Sequence, residues 1–328
     1  MPYYPEKKPE ESGEKQKQTK LTEKQIRLLR LSVTVFSCLL ILYGSIRLIL
    51  YTADLNASRN TSRELQQIHS QEEAETEAIA QTQEPTPLPA VPPTAAPENP
   101  MPTETQPPSE EDEDTLQPSA YPDNPDLKIA ERFRLLRKKG EYIIGWLCLD
   151  QVEEAVVQKD NTYFLTRDAK GRKNSNGAIF LDSGISLKTR PYTIILYGHN
   201  MKSGNMFGRL KKYEESSYFY KHRIITFDTM YEDGEYAVFS VMDMSTTPGV
   251  ARWYDLWSLT TDSKTDREEA IRTLERRSAI SSVLDVRADD QILLLVTCLD
   301  GDTERLVVAA RRLREGETEG SLTIRQGR

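Results

Sequence analysis

The order of apolar and polar positions divides the chain into an apolar segment, a long polar tract and a strand-rich C-terminal part. Leu31–Tyr51 is predominantly apolar for about 20 residues, the length that crosses a bilayer as a helix. From residue 142 onward, short apolar runs alternate with turns, including YIIGWLCL, EAVVQ, TYFLT, GAIFLD, YTIILYGH, RIITFDTM and EYAVFSVM. Runs rich in β-branched and aromatic residues predict strands, and their number and spacing predict a mainly β fold, either a closed barrel or a sandwich.

A few helices are predicted among these strands. The stretch LKIAERFRLLRKKGEY places Ile129, Phe133 and Leu136 on roughly one helical face. Further helical segments are expected at Met206–Tyr220 and Asp266–Ala279. A last short strand, SLTIR, closes the pattern.

Composition separates the folded part of the chain from the polar tract before it. Thirteen of the 18 prolines lie between Pro85 and Pro125, and no Lys or Arg occurs between Arg63 and Lys128. Such a tract cannot supply a packed core, and its Pro, Glu and Thr content is typical of an extended, disordered linker. The folded part is therefore expected to be one domain of about 200 residues that starts near Asp126. As a flexible coil, the roughly 70 residues before this domain span about 45 Å.

The N-terminal end indicates membrane anchoring. Residues 1–30 form a basic tail with eight Lys or Arg, so the N-terminus is expected in the cytoplasm and the rest of the chain outside. The apolar segment is longer than a signal-peptide core and no clear cleavage site follows it, so residues 31–51 are predicted to be an uncleaved signal anchor. Residues 52–125 are predicted to form an extracytoplasmic stalk and Pro/Glu/Thr-rich linker before the domain at 126–328. His69, in the stalk, is expected to be solvated.

Charge and cysteine content exclude several functions. The net charge of −8 comes largely from the polar tract, and no basic, aromatic-interleaved patch indicates a nucleic-acid partner. The cysteines, Cys38, Cys148 and Cys298, show no CxxC spacing and no cluster with histidine, so no zinc site, other metal or cofactor is predicted. Cys148 alternates with apolar neighbours and is expected to pack in the core.

Two strands near the C-terminus bring a thiol close to a guanidinium. The apolar run at 292–296 ends in Thr297 and Cys298, a polar loop follows, and a second apolar run begins after Arg305. Two such runs, separated by a loop that contains Gly301, predict a β-hairpin with Cys298 and Arg305 at its mouth. A buried structural cysteine is the alternative interpretation, because free Cys is among the most buried residue types.

A second strand end carries another reactive side chain. The run Tyr192–Tyr197 is followed closely by His199 and Asn200, and rigid scaffolds often present catalytic groups just after such elements. A thiolate is a nucleophile, an imidazole can transfer a proton, and a guanidinium can hydrogen-bond a developing oxyanion. His199, Cys298 and Arg305 therefore make a coherent catalytic set. The sequence shows no Asp or Asn as a third partner for the histidine.

The blocks around these residues resemble sortases, the cysteine transpeptidases of the Gram-positive cell envelope, and most closely class B. The matching patterns are GWLCLD with NTYFLTRDAKGRKNSNGAIFLD, then YGHNMKSGNMFGRLKKY, then LLVTC followed by RLVVAARRL, within about residues 126–315. The resemblance implies a sortase-like closed β-barrel with inserted helices, preceded by one transmembrane helix and a disordered linker. It also implies Cys298 as the nucleophile, His199 as the general acid/base, and Arg305 as the group that holds the substrate or stabilises the oxyanion.

The same resemblance implies substrate-binding residues and a reaction. Thr297, Asn200 and the segment from Ser263 to Val283 would bind substrate, and that segment would form one wall of the sorting-signal groove. The implied enzyme cleaves a C-terminal sorting signal of surface proteins, retains the acyl group on Cys298, and passes it to a cell-wall amine of a peptidoglycan precursor. The alternatives are a pilin lysine as the acceptor, water as the acceptor, or a non-catalytic envelope scaffold.

The chain departs from the family pattern near these blocks. Glu154-Ala155 stands where Tyr-Pro is common, and Val296 stands where a serine is common. Neither departure removes a catalytic residue, but both leave the substrate preference open. Arg311 and Arg312 lie near the assigned arginine, although further along the strand from the cysteine.

Overall fold

Eight strands form a closed barrel in the computed structural model, which describes residues 22–82, 114–117, 119–298 and 303–322. The strands are β1 Ile143–Leu149, β2 Val152–Val157, β3 Ile179–Leu181, β4 Thr193–Tyr197, β5 Ile224–Thr229, β6 Glu235–Ser245, β7 Ile292–Cys298 and β8 Glu304–Arg312. Their order around the barrel is β1-β2-β3-β4-β7-β8-β6-β5. The prediction of a mainly β, closed-barrel fold is confirmed.

Strands β4 and β7 are parallel neighbours in the barrel wall. Ile194, Ile195 and Leu196 of β4 are buried without alternation, and so is the run from Leu293 to Val296 in β7. A strand that is covered on both faces needs a continuous apolar run, which explains why these two segments lack the two-residue period. Because the two strands are parallel, the residues that follow their apolar runs lie at the same end of the barrel.

Four α-helices are described: α1 Glu23–Thr82, α2 Glu131–Lys139, α3 Ser216–Lys221 and α4 Lys264–Arg276. Helices α2 and α4 lie where the sequence predicts them. The helix expected at 206–220 is shorter, because a 3₁₀ turn at Leu210–Glu214 precedes α3. The last predicted strand, SLTIR, begins inside a 3₁₀ turn at Glu319–Ser321, and its end lies outside the described residues.

One predicted strand is a turn. The run TYFLT contains a 3₁₀ turn at Tyr163–Leu165 in place of a strand. The carboxylate of Asp160 accepts hydrogen bonds from the backbone N–H groups of Thr162 at 2.9 Å and Tyr163 at 2.7 Å. An Asp side chain that binds successive N–H groups favours a turn over strand pairing. The turn leaves the Leu165 carbonyl free to contact another part of the barrel.

The chain divides into two compact units at Ala53 and Asp54. In the first unit, residues 23–53 belong to α1, and large apolar side chains such as Phe36 and Leu40 are exposed. This helix is long and apolar enough to cross a membrane, judged by length and composition. The predicted apolar helix is therefore present.

Residues 54–82 of α1 belong to the same unit as the barrel. Ser58, Thr61, Leu65 and His69 are buried at intervals of three or four residues, so one face of the helix packs against the barrel unit. Leu65 joins an apolar cluster with α2 and β1, whose members include Phe133, Leu136 and Trp146. The expectation that His69 is solvated is wrong, because only 2% of this residue is exposed.

Polar contacts fix this part of α1 at defined positions. The Thr61 hydroxyl donates to the Asp168 carboxylate at 3.0 Å, and the Ser62 hydroxyl donates to the Glu154 carboxylate at 2.8 Å. Ala155, beside Glu154, is 3% exposed and belongs to the same apolar cluster as Leu65. The Glu-Ala pair that departs from the family pattern therefore lies under α1.

The polar tract connects two segments of the barrel unit. Residues 83–113, which carry most of the predicted disordered linker, lie outside the described residues. The described chain resumes beside α4, where the Leu116 N–H donates to the Asp262 carbonyl and the Lys264 N–H donates to the Asp114 carbonyl, both at 2.7 Å. The tract therefore starts and ends on the same unit, which differs from the simple spacer that the composition suggests.

Candidate active site

Hydrogen bonds hold both the backbone and the imidazole of His199 in place just beyond β4. The His199 carbonyl accepts hydrogen bonds from the N–H groups of Met201 and Phe207, each at 3.1 Å. The imidazole Nε2 lies 2.8 Å from the carbonyl oxygen of Leu165. Because a carbonyl can only accept, this contact places a proton on Nε2 and leaves Nδ1 of the neutral ring as a proton acceptor.

Gly177 confines the other side of the imidazole. Its φ is +64°, and an added Cβ would lie 2.9 Å from Cδ2 of His199 and 2.6 Å from the Phe164 carbonyl oxygen. Both the left-handed backbone and the close approach require glycine. The sequence shows no Asp or Asn that would orient the imidazole of His199. Gly177 and the Leu165 carbonyl restrain the ring instead.

The Cys298 backbone lies beside His199. In the parallel pair of β4 and β7, Tyr197 lies opposite Val296. Two residues further along each strand, His199 and Cys298 therefore occupy neighbouring positions. The Thr297 hydroxyl donates to the Gly198 carbonyl at 2.7 Å, which joins the two strand ends. Neighbouring strands lie about 4.8 Å apart, so the backbones at positions 199 and 298 lie side by side.

Arg305 flanks the cysteine on the opposite side. It pairs directly with Cys298 in the antiparallel ladder of β7 and β8, and its side chain is half-buried. Arg311 and Arg312 lie at the other end of β8, where Arg311 donates to the Glu317 carboxylate at 2.6 Å and Arg312 bonds to the Asp233 carbonyl. The strand order β4-β7-β8 therefore places the cysteine position between His199 and Arg305.

A cavity of about 290 Å³ opens at this end of the barrel. Its described lining is mostly apolar apart from His199, Arg305 and a few polar groups, and it comprises Asn161, Leu165, Ala178, Phe180, Tyr197, Gly198, His199, Val296, Thr297 and Arg305. Ligand sites typically combine apolar walls with a few placed polar groups. This cavity therefore has the composition of a ligand site, beside His199 and Arg305.

A buried carboxylate organises the cavity wall. Asp182 is 1% exposed and accepts hydrogen bonds from the Tyr197 hydroxyl at 3.0 Å and the Asn161 amide at 3.2 Å. Burial and the neighbouring Asp182 carboxylate raise the pKa of Tyr197, so its phenol stays protonated and donates. Tyr197 and Asn161 thereby keep fixed orientations in the lining.

The structure brings some of the predicted site residues together and separates others. His199, Arg305 and Thr297 line one cavity, whereas Asn200 is exposed and bridges to Met206. Ser263 caps the N-terminus of α4, where its hydroxyl accepts from the Asp266 N–H at 3.1 Å. That end of α4 lies beside the start of β4, so the structure does not bring Ser263 to the cavity. Val283 is 40% exposed and is not among the described lining residues.

Several lining groups escape prediction from the sequence. Asn161, Leu165, Ala178, Phe180 and Tyr197 face the cavity, and none belongs to the predicted site. Leu165 acts through its backbone carbonyl, which any residue carries, so no side-chain signal marks it. The Asp–x–Thr pattern at 160–162 is the one local signal, since it indicates the turn that presents this carbonyl.

The other histidine and cysteine candidates lie elsewhere. His222 contacts Tyr218, with ring centroids 4.4 Å apart, and lies 3.7 Å from the Asp150 carboxylate. Cys148 is a free thiol, and burial with nearby carboxylates raises its pKa to about 12, which keeps it protonated. It packs at the edge of the apolar cluster under α1. Neither residue belongs to the cavity described above.

Comparison with known proteins supports the family that the site suggests. Residues 151–313 match the sortase domain. The chain is 31% identical over 194 residues to sortase B of Staphylococcus aureus, which covers 57% of this chain and 76% of that protein. It is 28% identical over 195 residues to sortase B of Listeria monocytogenes, which covers 58% and 75%.

Solved structures agree with this result. A Bacillus anthracis protein described as similar to sortase B superposes with a TM-score of 0.50 at 32% identity, covering 60% of this chain and 88% of that one. The S. aureus sortase B crystal structure at 2.0 Å gives a TM-score of 0.51 at 30% identity, covering 57% and 88%.

Together, the closed barrel and the sequence matches assign the chain to a family of cysteine transpeptidases. The chain belongs to the sortase family, and within the family it is class B-like.

Proposed function

We propose that this chain is a membrane-anchored transpeptidase that cleaves a C-terminal sorting signal of surface proteins and transfers them to a cell-wall amine. The observation that supports the proposal is the strand order β4-β7-β8, in which the position of Cys298 lies between those of His199 and Arg305 beside a cavity. S. aureus sortase B has been crystallised as a complex with substrate, and a sortase B has been crystallised as a complex with triglycine. Those complexes support a peptide substrate and an amine acceptor here as well.

The proposed reaction has two acyl-transfer steps. The Cys298 thiolate attacks the carbonyl carbon of the scissile peptide bond, a C–S bond forms, and the C–N bond breaks as His199 gives a proton to the departing amine. The acceptor amine then attacks the thioester, the C–S bond breaks, and His199 takes the proton that the acceptor loses. Arg305 donates hydrogen bonds to the carbonyl oxygen as it gains negative charge in each step.

The proposed location follows from the first unit. The apolar residues 31–51 of α1 would hold the protein in the membrane, with the basic tail in the cytoplasm and the barrel outside. Surface proteins that pass through the same membrane would then meet the barrel as they emerge. Thr297 is proposed to support the site through its bond to the Gly198 carbonyl.

An acyl-enzyme trap tests the chemistry. The purified chain is incubated with a library of sorting-signal peptides, and its intact mass is measured before and after addition of hydroxylamine. We expect a mass increase equal to the N-terminal peptide fragment, which hydroxylamine removes. Cys298→Ala and His199→Ala should show no adduct, and Arg305→Lys should form it at least tenfold more slowly, because Lys cannot reproduce the forked donor geometry.

Cys148→Ala is the matched control for the thiol. The raised pKa of Cys148 keeps it protonated, so the variant should form the adduct at the wild-type rate. An adduct in Cys298→Ala, or loss of the adduct in Cys148→Ala alone, would contradict the assignment.

Product analysis identifies the acceptor. Reactions that contain triglycine, a lysine-containing peptide or no added amine give three distinct products. A wall-anchoring enzyme yields the triglycine conjugate, a pilus-polymerising enzyme yields the lysine conjugate, and a hydrolase yields only the free acid. A chain that forms none of these, while its circular dichroism spectrum stays native, would instead be a non-catalytic scaffold.

A further inference from the structure

A buried histidine with two carboxylates lies outside the cavity, where α1 packs on the barrel. His69 stacks on Trp146 with ring centroids 4.4 Å apart and an interplanar angle of 12°. Trp146 on β1 pairs with Asp228 on β5, and Glu73 lies one turn after His69 on α1. One ligand atom from each of His69, Glu73 and Asp228 falls within 4.8 Å of the others, and among the described residues no other group of His, Cys, Asp and Glu does so.

The imidazole of His69 lacks hydrogen-bond partners. Its residue is 2% exposed, and neither Nδ1 nor Nε2 makes a hydrogen bond within the described structure. Buried polar atoms are nearly always satisfied, so an imidazole with two unused nitrogens calls for an explanation. Nδ1 lies 3.5 Å from the Glu73 carboxylate, which directs it into the group of three.

We propose that His69, Glu73 and Asp228 bind a zinc ion that joins the second half of α1 to β5 of the barrel. Tetrahedral zinc with ligand distances of about 2.0–2.2 Å separates its ligand atoms by about 3.3–3.6 Å. The spacing from Nδ1 to the Glu73 carboxylate already has this value. A histidine and a glutamate four residues apart lie on one helical face, and a solvent molecule would complete the four ligands.

The ligand types favour zinc over harder cations. Calcium and magnesium prefer oxygen ligands only, whereas a neutral imidazole suits zinc and similar transition metals. Because the three ligands lie outside the cavity that holds His199 and Arg305 and connect α1 to the barrel, we assign the zinc ion a structural role.

Arg132 is a cation beside the proposed site. Arg132 lies 3.4 Å from the Asp228 carboxylate, but its guanidinium makes a closer contact to Asp233. The other carboxylate oxygen of Asp228 accepts from the Gly234 N–H at 3.1 Å. Each carboxylate oxygen has two lone pairs, so these contacts still allow Asp228 to bind a metal.

Zinc titration of the full-length chain in detergent micelles, prepared with EDTA and without a polyhistidine tag, tests the proposal. Isothermal titration calorimetry with zinc chloride at pH 7.5 should give one site per chain. Glu73→Gln should weaken binding at least tenfold, whereas Glu72→Gln, with the same charge change on the same turn, should bind as the wild type does. Calcium chloride should give no binding at this site.

A second measurement separates binding from folding. The Glu73 side chain is 47% exposed, so Glu73→Gln should keep the wild-type circular dichroism spectrum even if His69→Gln disturbs the packing. Saturating zinc should raise the Tm of the wild type and of Glu72→Gln, and leave that of Glu73→Gln unchanged. A wild-type chain that binds no zinc, or a Glu73→Gln variant that binds it equally well, would overturn the proposal.

Discussion

Thr297 shows how one hydroxyl can align two functional strand ends. Its side chain is 3% exposed and bonds the Gly198 carbonyl across from β7 to the end of β4. Gly198 precedes His199, and Thr297 precedes Cys298, so this bond sets the distance between the two functional positions. A shift of a few tenths of an ångström between these two strand ends would affect the proposed proton transfer as well as the local packing.

Thr297→Val should therefore lower activity and stability together. Valine has almost the same shape but leaves the half-buried Gly198 carbonyl without its donor, which costs about 1 kcal/mol of unfolding free energy. The measurement is urea unfolding followed by peptide-cleavage kinetics. Thr297→Ser keeps the hydroxyl and should stay close to the wild type in both assays. Equal losses in both variants would mean that the methyl group, and not the hydrogen bond, matters.

Helices α1 and α4 are attached to the barrel by different interactions. The second half of α1 buries one face against α2 and β1, and its central apolar contact is Leu65, which is 1% exposed. Helix α4 is instead fastened by the buried Arg267, which is 0% exposed and donates to backbone carbonyls around the start of β4 and of β7. The first attachment is mainly hydrophobic, and the second is a network of charge-assisted hydrogen bonds.

Leu65→Ala should loosen α1 from the barrel. Removal of a fully buried leucine costs about 2–5 kcal/mol, including the cavity it leaves. Hydrogen–deuterium exchange should then show faster exchange in residues 54–74, with little change in β4 and β7. Gln67→Ala, at an exposed position of the same helix, is the control and should exchange like the wild type. Unchanged protection in Leu65→Ala would argue against stable packing of α1.

Arg267→Met should destabilise the α4 attachment strongly. The guanidinium donates to the Ala288 carbonyl at 2.7 Å, the Thr193 hydroxyl at 2.8 Å and the Asp290 carbonyl at 3.1 Å. Methionine leaves these buried acceptors unsatisfied, so we expect a loss of about 3 kcal/mol or more in chemical denaturation. Arg267→Lys retains a charge and three donors, so it should recover part of the loss.

At the scale of the whole molecule, the predicted stalk belongs partly to the barrel unit. Residues 54–74 pack on the barrel, and the chain returns to the same unit at Asp114. The contact surface includes Glu154, whose carboxyl group accepts from Ser62. Burial raises the pKa of Glu154 to about 7, so this surface holds a group that titrates near neutral pH.

The stability of this unit should depend on pH through Glu154. Its folded pKa of about 7 lies above its ordinary value of 4.5, so the folded state holds the proton more tightly than the unfolded state. Its contribution is therefore full below about pH 4.5 and is lost as the pH rises towards 7, by an amount on the order of 3 kcal/mol. Glu154→Gln removes this loss, so the Tm of the variant minus that of the wild type should increase between pH 5 and 7.5.

Glu141→Gln is the control for this pH series, because Glu141 is an exposed carboxylate outside the contact surface. Its Tm difference from the wild type should stay flat over the same pH range. A flat difference for Glu154→Gln as well would show that Glu154 is ionised and solvated in the folded protein.

The sequence by itself determined the elements that depend on local pattern. The continuous apolar runs of β4 and β7 and the apolar helix at 31–51 follow from side-chain hydrophobicity, which acts within a few residues. The hairpin that pairs Cys298 with Arg305 also follows, because a short loop can join its strands in only a few ways.

Tertiary structure alone decided the contacts between distant segments. The parallel pairing of β4 with β7 joins His199 to the cysteine strand across about a hundred residues, and a backbone carbonyl at Leu165 restrains the histidine. The burial of His69 likewise cannot be predicted from the polar sequence of its helix, because it depends on Trp146 of β1 and Asp228 of β5. Local propensity carries no information about which distant surface a helix face will meet, so only the folded chain reveals these positions.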